Sequence, residues 1–539
     1  MDMPPELKLV GTPSSPRGRS LTASRSFEPG ELIAQFATPC IVLPDSPSLQ
    51  VTCSHCLRTD TAVRACTGCR STYYCSTPCQ KSDWSEAHKA ECKVFKKVKA
   101  EGHDVLPTPV RALVQMLLRP DMKAAAAEME GHVEAFKRNE PEWRDMQLQA
   151  MASLHYLGRE AAQKRVREAI ELLCKLQVNS FNRKDEDVGQ TGIFFNPALS
   201  MVNHSCLPNA HVQFSGRKAI LRANTAIEEG AEVDISYIDC NLHRSHRQRA
   251  LKERWHFGCA CPRCRDDLDV YQVARLYPSI KCTFLSLNAD LKPPQEPSAS
   301  LADKEIKAVV EKIYLACSTP PSASGLPNYL DQIFRERWQL CEPLRRANLF
   351  AIEPLPQVMG EATLYFGERG AFPNSLAVSC FLAIYSDPFK SPMPFGPSRV
   401  KGLLMLANIL SNTAPMSGSS MPSHGGSLDG RVAQALSKMD QATMAQAILT
   451  IVVHWAASAH SEDWQIHKEA SMQLRDIENL PGREKEKSLI QAWAKHQDNP
   501  EAAMFYEVAV LKPIRELAGF ALEIMDSHFG TRQGLLANK

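Results

Sequence analysis

The chain has 539 residues, 44% hydrophobic and 23% charged, and its 62 basic side chains nearly cancel 60 acidic ones. This composition excludes a disordered or fibrous polymer, and the charge balance argues against a protein whose main business is coating nucleic acid. A chain this long calls for two to four domains of roughly 100 to 200 residues each. No unbroken apolar run reaches the roughly 18 residues of a bilayer span, and Met1 to Val10 lacks the charged-then-apolar order of a signal peptide. We therefore expect no membrane association and a location in the nucleus or cytoplasm. In such a reducing compartment the 18 cysteines read as metal ligands where clustered and as core residues where scattered.

In chain order, Arg17-Gly18-Arg19-Ser20-Leu21 and Phe27-Glu28-Pro29-Gly30-Glu31-Leu32 read as glycine turns leading into strands, which on their own are ordinary. Residues 53 to 92 are far more specific. Cys53 and Cys56, Cys66 and Cys69, Cys75 and Cys79, then His88 and Cys92 supply eight ligands for two tetrahedral zinc sites, with each close pair set on one tight turn. Spacing leaves the pairing between sites open. So small a module has no adequate apolar core, so metal binding supplies most of its folding free energy, on the order of 10 kcal/mol per site. Tyr73, Tyr74, Gln80 and Trp84 are suited to a groove for an extended proline-containing peptide, and equally to packing the module itself. Lys93, Lys96, Lys97 and Lys99 offer contacts to phosphates or form a solvated helix face.

Residues 93 to 176 have helical periodicity, with an alanine run at 124 to 127 and Val166, Ile170 and Leu173 on one face. Beyond them lies Asn203-His204-Ser205-Cys206. His211 to Phe214 and Ala219 to Ala223 then read as a hairpin, and Glu228-Glu229-Gly230 turns into a strand over Glu232 to Tyr237. Cys259-Ala260-Cys261-Pro262-Arg263-Cys264 offers three ligands. A closed zinc site needs a fourth, and Cys206 is the best-placed thiol. The stretch 243 to 254 carries Arg244, Arg247, Arg249, Lys252 and Arg254, a solvated face or a contact for an acidic partner. From 267 onward the patterns are helical, with stripes at Ile306, Val309, Val310, Ile313 and Cys317 and at Met444, Ile448, Val452 and Trp455. Residues 385 to 428, rich in Pro, Ser, Gly and Met and including Ser417 to Ser420 and His424 to Ser427, read as a long flexible loop.

The order N-H-S-C-x-P-N, E-x-G-x-E-x-x-I-x-Y, C-x-C-x2-C, with the eight-ligand module upstream, resembles the SET- and MYND-domain protein lysine methyltransferases over about residues 15 to 265. The resemblance implies an α+β fold: a split SET β-fold (1–50 and 177–240) with an inserted MYND zinc finger (51–93) and helical insert (94–176), a post-SET zinc cluster (241–266), and an all-α, TPR-like C-terminal domain (267–539). It pairs Cys53, Cys56, Cys75 and Cys79 at one zinc and Cys66, Cys69, His88 and Cys92 at another, with Cys206, Cys259, Cys261 and Cys264 as a third structural site. It surrounds S-adenosylmethionine with Arg17, Arg19, Asn179, Ser200, Asn203, His204, Tyr237 and Phe257, plus one contact from the insert whose position the sequence leaves open. Ser20 stands where the family usually has a second glycine.

The activity implied is methyl transfer from S-adenosylmethionine to a lysine of a histone tail or non-histone protein, by a monomer. An in-line displacement needs alignment and exclusion of water, and the lysine, with an unperturbed pKa of about 10.4, must first lose its proton. Tyr237 is the candidate catalytic hydroxyl, and Phe194, Phe195 and Phe257 are candidate walls of the lysine channel. The rival reading is an inactive scaffold that recruits partners in transcriptional regulation. Direct nucleic-acid binding through the lysines near 93 to 99 is a weaker third reading, given the balanced charge.

Overall fold

A computed structural model of the chain describes residues 3–12, 17–160, 162–185, 189–278, 284–287, 304–317, 327–413 and 427–530. Two compact units emerge, one of Met1–Ile238 with Gln248–Cys261, the other of Asp239–Arg247 with Pro262–Lys539.

In the first unit, strands from the first fifty residues pair with strands about 150 to 200 positions later. Leu32–Phe36 joins Lys218–Ala223, which pairs in turn with Ala210–Ser215. Ile41–Pro44 lies against Gly189–Phe195, which pairs with Phe181–Asp185. Leu7–Val10 and Ser20–Ala23 form a separate antiparallel pair. The β-fold is thus split, with everything from 51 to 180 inserted between its halves. Gly192 marks the tightest approach: at φ +154, a Cβ there would sit 2.0 Å from the carbonyl oxygen of Leu43, so only glycine lets these two strands meet. One buried cluster running from Leu7 to Ile235 holds both halves together.

The expected strand over 232 to 237 shrinks to Asp234–Ile235, which runs parallel to Asn203–His204. Side chains take the donors a longer ladder would use. The amide of Asp234 donates to Asn209 Oδ1 at 2.8 Å, and that of Tyr237 donates to His204 Nδ1 at 3.1 Å. The expected boundary at 93/94 falls inside one helix, Lys89–Ala100, whose Val94, Phe95 and Val98 share a core with Leu106, Val110 and Val114 of the insert. Finger and insert are therefore packed as one body. The boundary at 176/177 likewise falls within the helix Gln163–Asn179. Ile170 and Leu173 are buried as their periodicity predicts, and Val166 is partly buried.

Among the described residues the second unit is helical. Leu355–Glu368 packs on Phe372–Tyr385, Pro397–Thr413 on Gln441–Ala459, and the latter on Gln465–Glu478. Val310, Ile313 and Cys317 are buried, as are Met444, Ile448 and Val452, with Trp455 packed against them. The reading of 385 to 428 as a loop needs correction. Asp387–Lys390 and the 17-residue helix Pro397–Thr413 occupy most of its described residues. Val400, Leu403, Leu404, Ala407 and Leu410 are buried at spacings of three and four, a periodic face that the flanking Pro, Ser and Gly obscured. Ser417 to Ser420 and His424 to Gly426 lie outside the described residues. The 19-residue helix Gln441–Ala459 is long and apolar enough on average to cross a membrane, which Gln446, Thr450 and His454 hide from a search for unbroken runs; 61% of its most apolar 18-residue stretch is buried, as in a core helix.

Candidate active site and metal centres

Three clusters carry metal-binding chemistry. Cys53, Cys56, Cys75 and Cys79 form one, Cys66, Cys69, His88 and Cys92 the second, and Cys206, Cys259, Cys261 and Cys264 the third; within each, the ligand atoms lie within 4.8 Å of one another. The Sγ atoms of Cys56 and Cys75, and of Cys75 and Cys79, are 3.6 Å apart, as are Cys69 Sγ and His88 Nε2. A zinc–sulfur bond of about 2.3 Å sets the tetrahedral edge near 3.8 Å, so the clusters fit zinc. No disulfide links any cysteine of the described residues.

The second cluster has a buried support. Glu91 accepts from Arg111 Nε at 2.7 Å, Arg111 Nη2 at 3.0 Å and Gln115 Nε2 at 3.2 Å, while its Oε2 lies 3.4 Å from His88 Nδ1. Donation from His88 Nδ1 to this carboxylate leaves Nε2 as the metal-facing atom. Burial opposes the Glu91 charge, but Arg111 outweighs it and holds the carboxyl down at about 2.

Around the parallel strand pair, the predicted residues fall into two groups. Arg17 donates from Nη1 to Glu232 at 2.8 Å and from Nη2 to Asp234 at 2.7 Å and the His204 carbonyl at 3.2 Å. Asn203 Nδ2 donates to the Arg17 carbonyl at 3.1 Å and to Glu232 at 2.9 Å. The glycine loop is thereby pinned to the strand pair. Gly18 takes the left-handed φ of +68, whereas Ser20 opens a regular strand and needs no glycine's freedom. Burial pushes the Asp234 carboxyl up to about 6, with Arg17 pulling the other way. Arg17 offsets it only partly, because its guanidinium is shared with Glu232 and 50% exposed, against 17% for Asp234.

The second group lines a cavity of about 270 Å³, where Asn179, Ser200 and Tyr237 meet Phe181, Phe214 and Trp255. Ser200 Oγ donates to the Asn179 carbonyl at 2.7 Å, and Tyr237 Oη donates to the Val202 carbonyl at 2.6 Å. Burial raises the Tyr237 phenol above its ordinary value, so it stays protonated. Trp255 packs on Tyr237 with ring centroids 5.1 Å apart and is held by its Nε1 donating to the Val178 carbonyl at 3.0 Å. The candidate walls Phe194 and Phe195 are fully buried core residues and do not line this cavity. Phe257 packs on His204 at 6.0 Å instead. The aromatic walls that sequence reading missed sit beside residues it named: Phe181 two positions after Asn179, and Trp255 two before Phe257.

His204 links the third metal cluster to the site. Its Nδ1 accepts from the Tyr237 amide, which places the ring proton on Nε2, 3.2 Å from Cys206 Sγ. Both nitrogens are thus engaged within the protein. Arg19 donates to the Glu128 carbonyl at 2.6 Å and Asn179 Nδ2 to that of Glu130 at 2.7 Å, so the 128–132 segment is the part of the insert that approaches the predicted cofactor residues. The side-chain oxygens of Asn179 and Asn203 accept no hydrogen bond among the described residues, and buried Nε2 of His256, next to Phe257, has no partner. Open acceptors of this kind suit a ligand with an ammonium group and an adenine edge. In the finger, Trp84 is 41% exposed, while Tyr74 is buried and donates to Asp83 at 2.6 Å.

The profile of the MYND finger family matches residues 53–92, so this module is a MYND finger. The SET domain and MYND-type zinc finger protein 6 of Schizosaccharomyces pombe is 34% identical over 254 residues, 46% of this chain and 50% of that one. Histone-lysine N-methyltransferase ASHR1 of Arabidopsis thaliana is 31% identical, covering 48% and 55%, and histone-lysine N-methyltransferase SMYD3 of Homo sapiens is 30% identical, covering 48% and 62%. The chain thus spans about half to three fifths of the length of these curated relatives. A solved SET domain of LSMT with lysine and AdoHcy aligns at TM-score 0.23 and 11% identity over 94% of this chain and 95% of its own, a distance at which no functional argument is carried.

Proposed function

We propose that this chain, a relative of the SET- and MYND-domain methyltransferases, is a protein-lysine N-methyltransferase that takes its methyl group from S-adenosylmethionine and acts in the nucleus or cytoplasm on histone or non-histone lysines. One observation carries the reading: a small cavity brings Phe181, Phe214 and Trp255 together with Tyr237, whose amide is bonded to His204 of the Arg17–Asn203–His204 cluster. When bound, S-adenosylmethionine supplies an electrophilic methyl group on a sulfonium. Asn179 and Asn203 offer amide oxygens to its ammonium group, and Arg17 fixes the loop that passes beside them. The aromatic walls strip water from an incoming lysine side chain, which disfavours its ammonium form and lowers its pKa. The amine then presents its lone pair to the methyl carbon once its proton has passed to solvent. Tyr237, neutral and held by Val202, keeps its oxygen lone pairs to orient the amine and methyl group.

The experiment is calorimetric titration of zinc-replete protein with S-adenosylhomocysteine, the product, which needs no guess about substrate. We expect micromolar binding, weakened at least tenfold by Asn203→Ala. Absence of any heat or thermal shift with folded protein sinks the enzyme reading and favours the scaffold, in which the finger recruits partners, a proline-containing peptide among them.

A further inference from the structure

A second and larger cavity, of about 580 Å³, opens between the finger's helix Lys89–Ala100 and the insert. It is separate from the proposed active site and shares no lining residue with it. Val94, Leu118, Tyr156 and Leu157 form an apolar slot, with the exposed ring of Trp84 at one end. Along its rim Lys89, Lys93 and Lys97 recur every four residues, one stripe of the helix, and Arg119 adds a fourth cation. Among the described residues, Lys89 and Lys93 make no ion pair and no side-chain hydrogen bond. Glu86, the one acidic lining residue, is taken by Arg217 at 2.8 Å. Lys97 pairs with Glu101 and Arg119 with Asp121, so Lys89 and Lys93 are the two rim cations beside the apolar slot that still want an acidic counterpart.

We infer that this groove docks an acidic segment of a partner protein that inserts one apolar or aromatic side chain between Leu118 and Tyr156 while its carboxylates face Lys89 and Lys93. A peptide fits better than a nucleic acid. The slot is lined by Val94, Leu118, Tyr156 and Leu157, the free cations beside it are few, and the chain as a whole is close to neutral, whereas a phosphate backbone is followed by a long basic stripe. The inference does not depend on catalysis.

Fluorescence anisotropy with full-length, zinc-replete protein tests it, using a fluorescein-labelled ten-residue glutamate peptide with one central phenylalanine. We expect saturable, salt-sensitive binding. It weakens roughly tenfold in a Lys89→Glu, Lys93→Glu double variant that retains its zinc and its circular dichroism spectrum, and by a similar factor when the peptide's phenylalanine becomes serine. Absence of binding at millimolar peptide overturns the inference, as does equal affinity for the double variant. Tighter binding of a twenty-nucleotide DNA strand that displaces the peptide also overturns it and assigns the groove to nucleic acid.

Discussion

At the scale of single residues, the site turns on two groups whose protonation is set by burial. Tyr237 stays neutral, so its hydroxyl both donates to Val202 and keeps lone pairs for the proposed methyl transfer. Tyr237→Phe leaves the ring and its packing on Trp255 in place and removes only the oxygen. Turnover of a lysine peptide is expected to fall by about two orders of magnitude or more, with S-adenosylhomocysteine affinity changed less than threefold; unchanged turnover removes Tyr237 from the mechanism. Asp234 is the second group. Its folded pKa of about 6 lies above the ordinary 3.8, so between those values the native state holds a proton that the unfolded chain has released. The contribution of this group to stability is therefore fully present below about pH 3.8 and is lost as pH rises through 6. The carbon-13 shift of the Asp234 carboxyl should titrate with a midpoint near 6, and a midpoint near 4 refutes the burial argument. Below that midpoint Arg17 loses one of its two carboxylate partners, loosening the glycine loop.

Between elements, one link is a buried charge pair that no periodicity announces. Glu91 and Arg111 are 0% and 2% exposed, and they tie the finger's helix to Thr108–Leu118 of the insert while Glu91 also orients His88. Arg111→Leu leaves a carboxylate buried without its partner and should cost about 3 to 5 kcal/mol in urea unfolding. Adding Glu91→Leu should recover a large part of that loss, and a double variant no better than the single one refutes this account. The same pair shows what sequence can and cannot disclose. Cysteine spacing is legible because one metal ion imposes local geometry on neighbouring residues, and the Asn203 to Cys206 element is legible because resemblance carries it. Partners such as Arg111 are not, since a charged residue on a helix reads as solvated until the facing helix is known. Phe181, Phe214 and Trp255 were missed because an aromatic in a strand or at a helix end carries no mark of which cavity it faces. Pro397–Thr413 was missed for the opposite reason, its buried face being diluted by breakers at both ends.

Across the whole molecule, three zinc sites divide the labour unequally, and the division is testable. The finger's two sites fold a module whose core is largely cysteine and valine. The third site draws Cys206, two residues beyond His204, together with Cys259 and Cys261, just beyond Trp255 and Phe257. His204 Nε2 donates to the Cys206 sulfur while its Nδ1 holds the Tyr237 amide, so the cluster reaches the proposed reaction centre through one imidazole. Wild-type protein should contain three zinc ions per chain by elemental analysis. Cys75→Ser and Cys206→Ser should each lower that count by one, but with different consequences. Loss of the finger site removes stabilisation on the order of 10 kcal/mol from the finger and leaves S-adenosylhomocysteine binding within about threefold of wild type, because none of its ligands lines the active-site cavity. Loss of the third site releases Phe257 and the His204 ring together and should weaken that binding by about 10- to 100-fold, the range common for groups that orient a site from behind it. If Cys206→Ser loses its zinc yet binds the product as wild type does, the third cluster is a clip for the chain and nothing more, and the imidazole bridge carries no functional load.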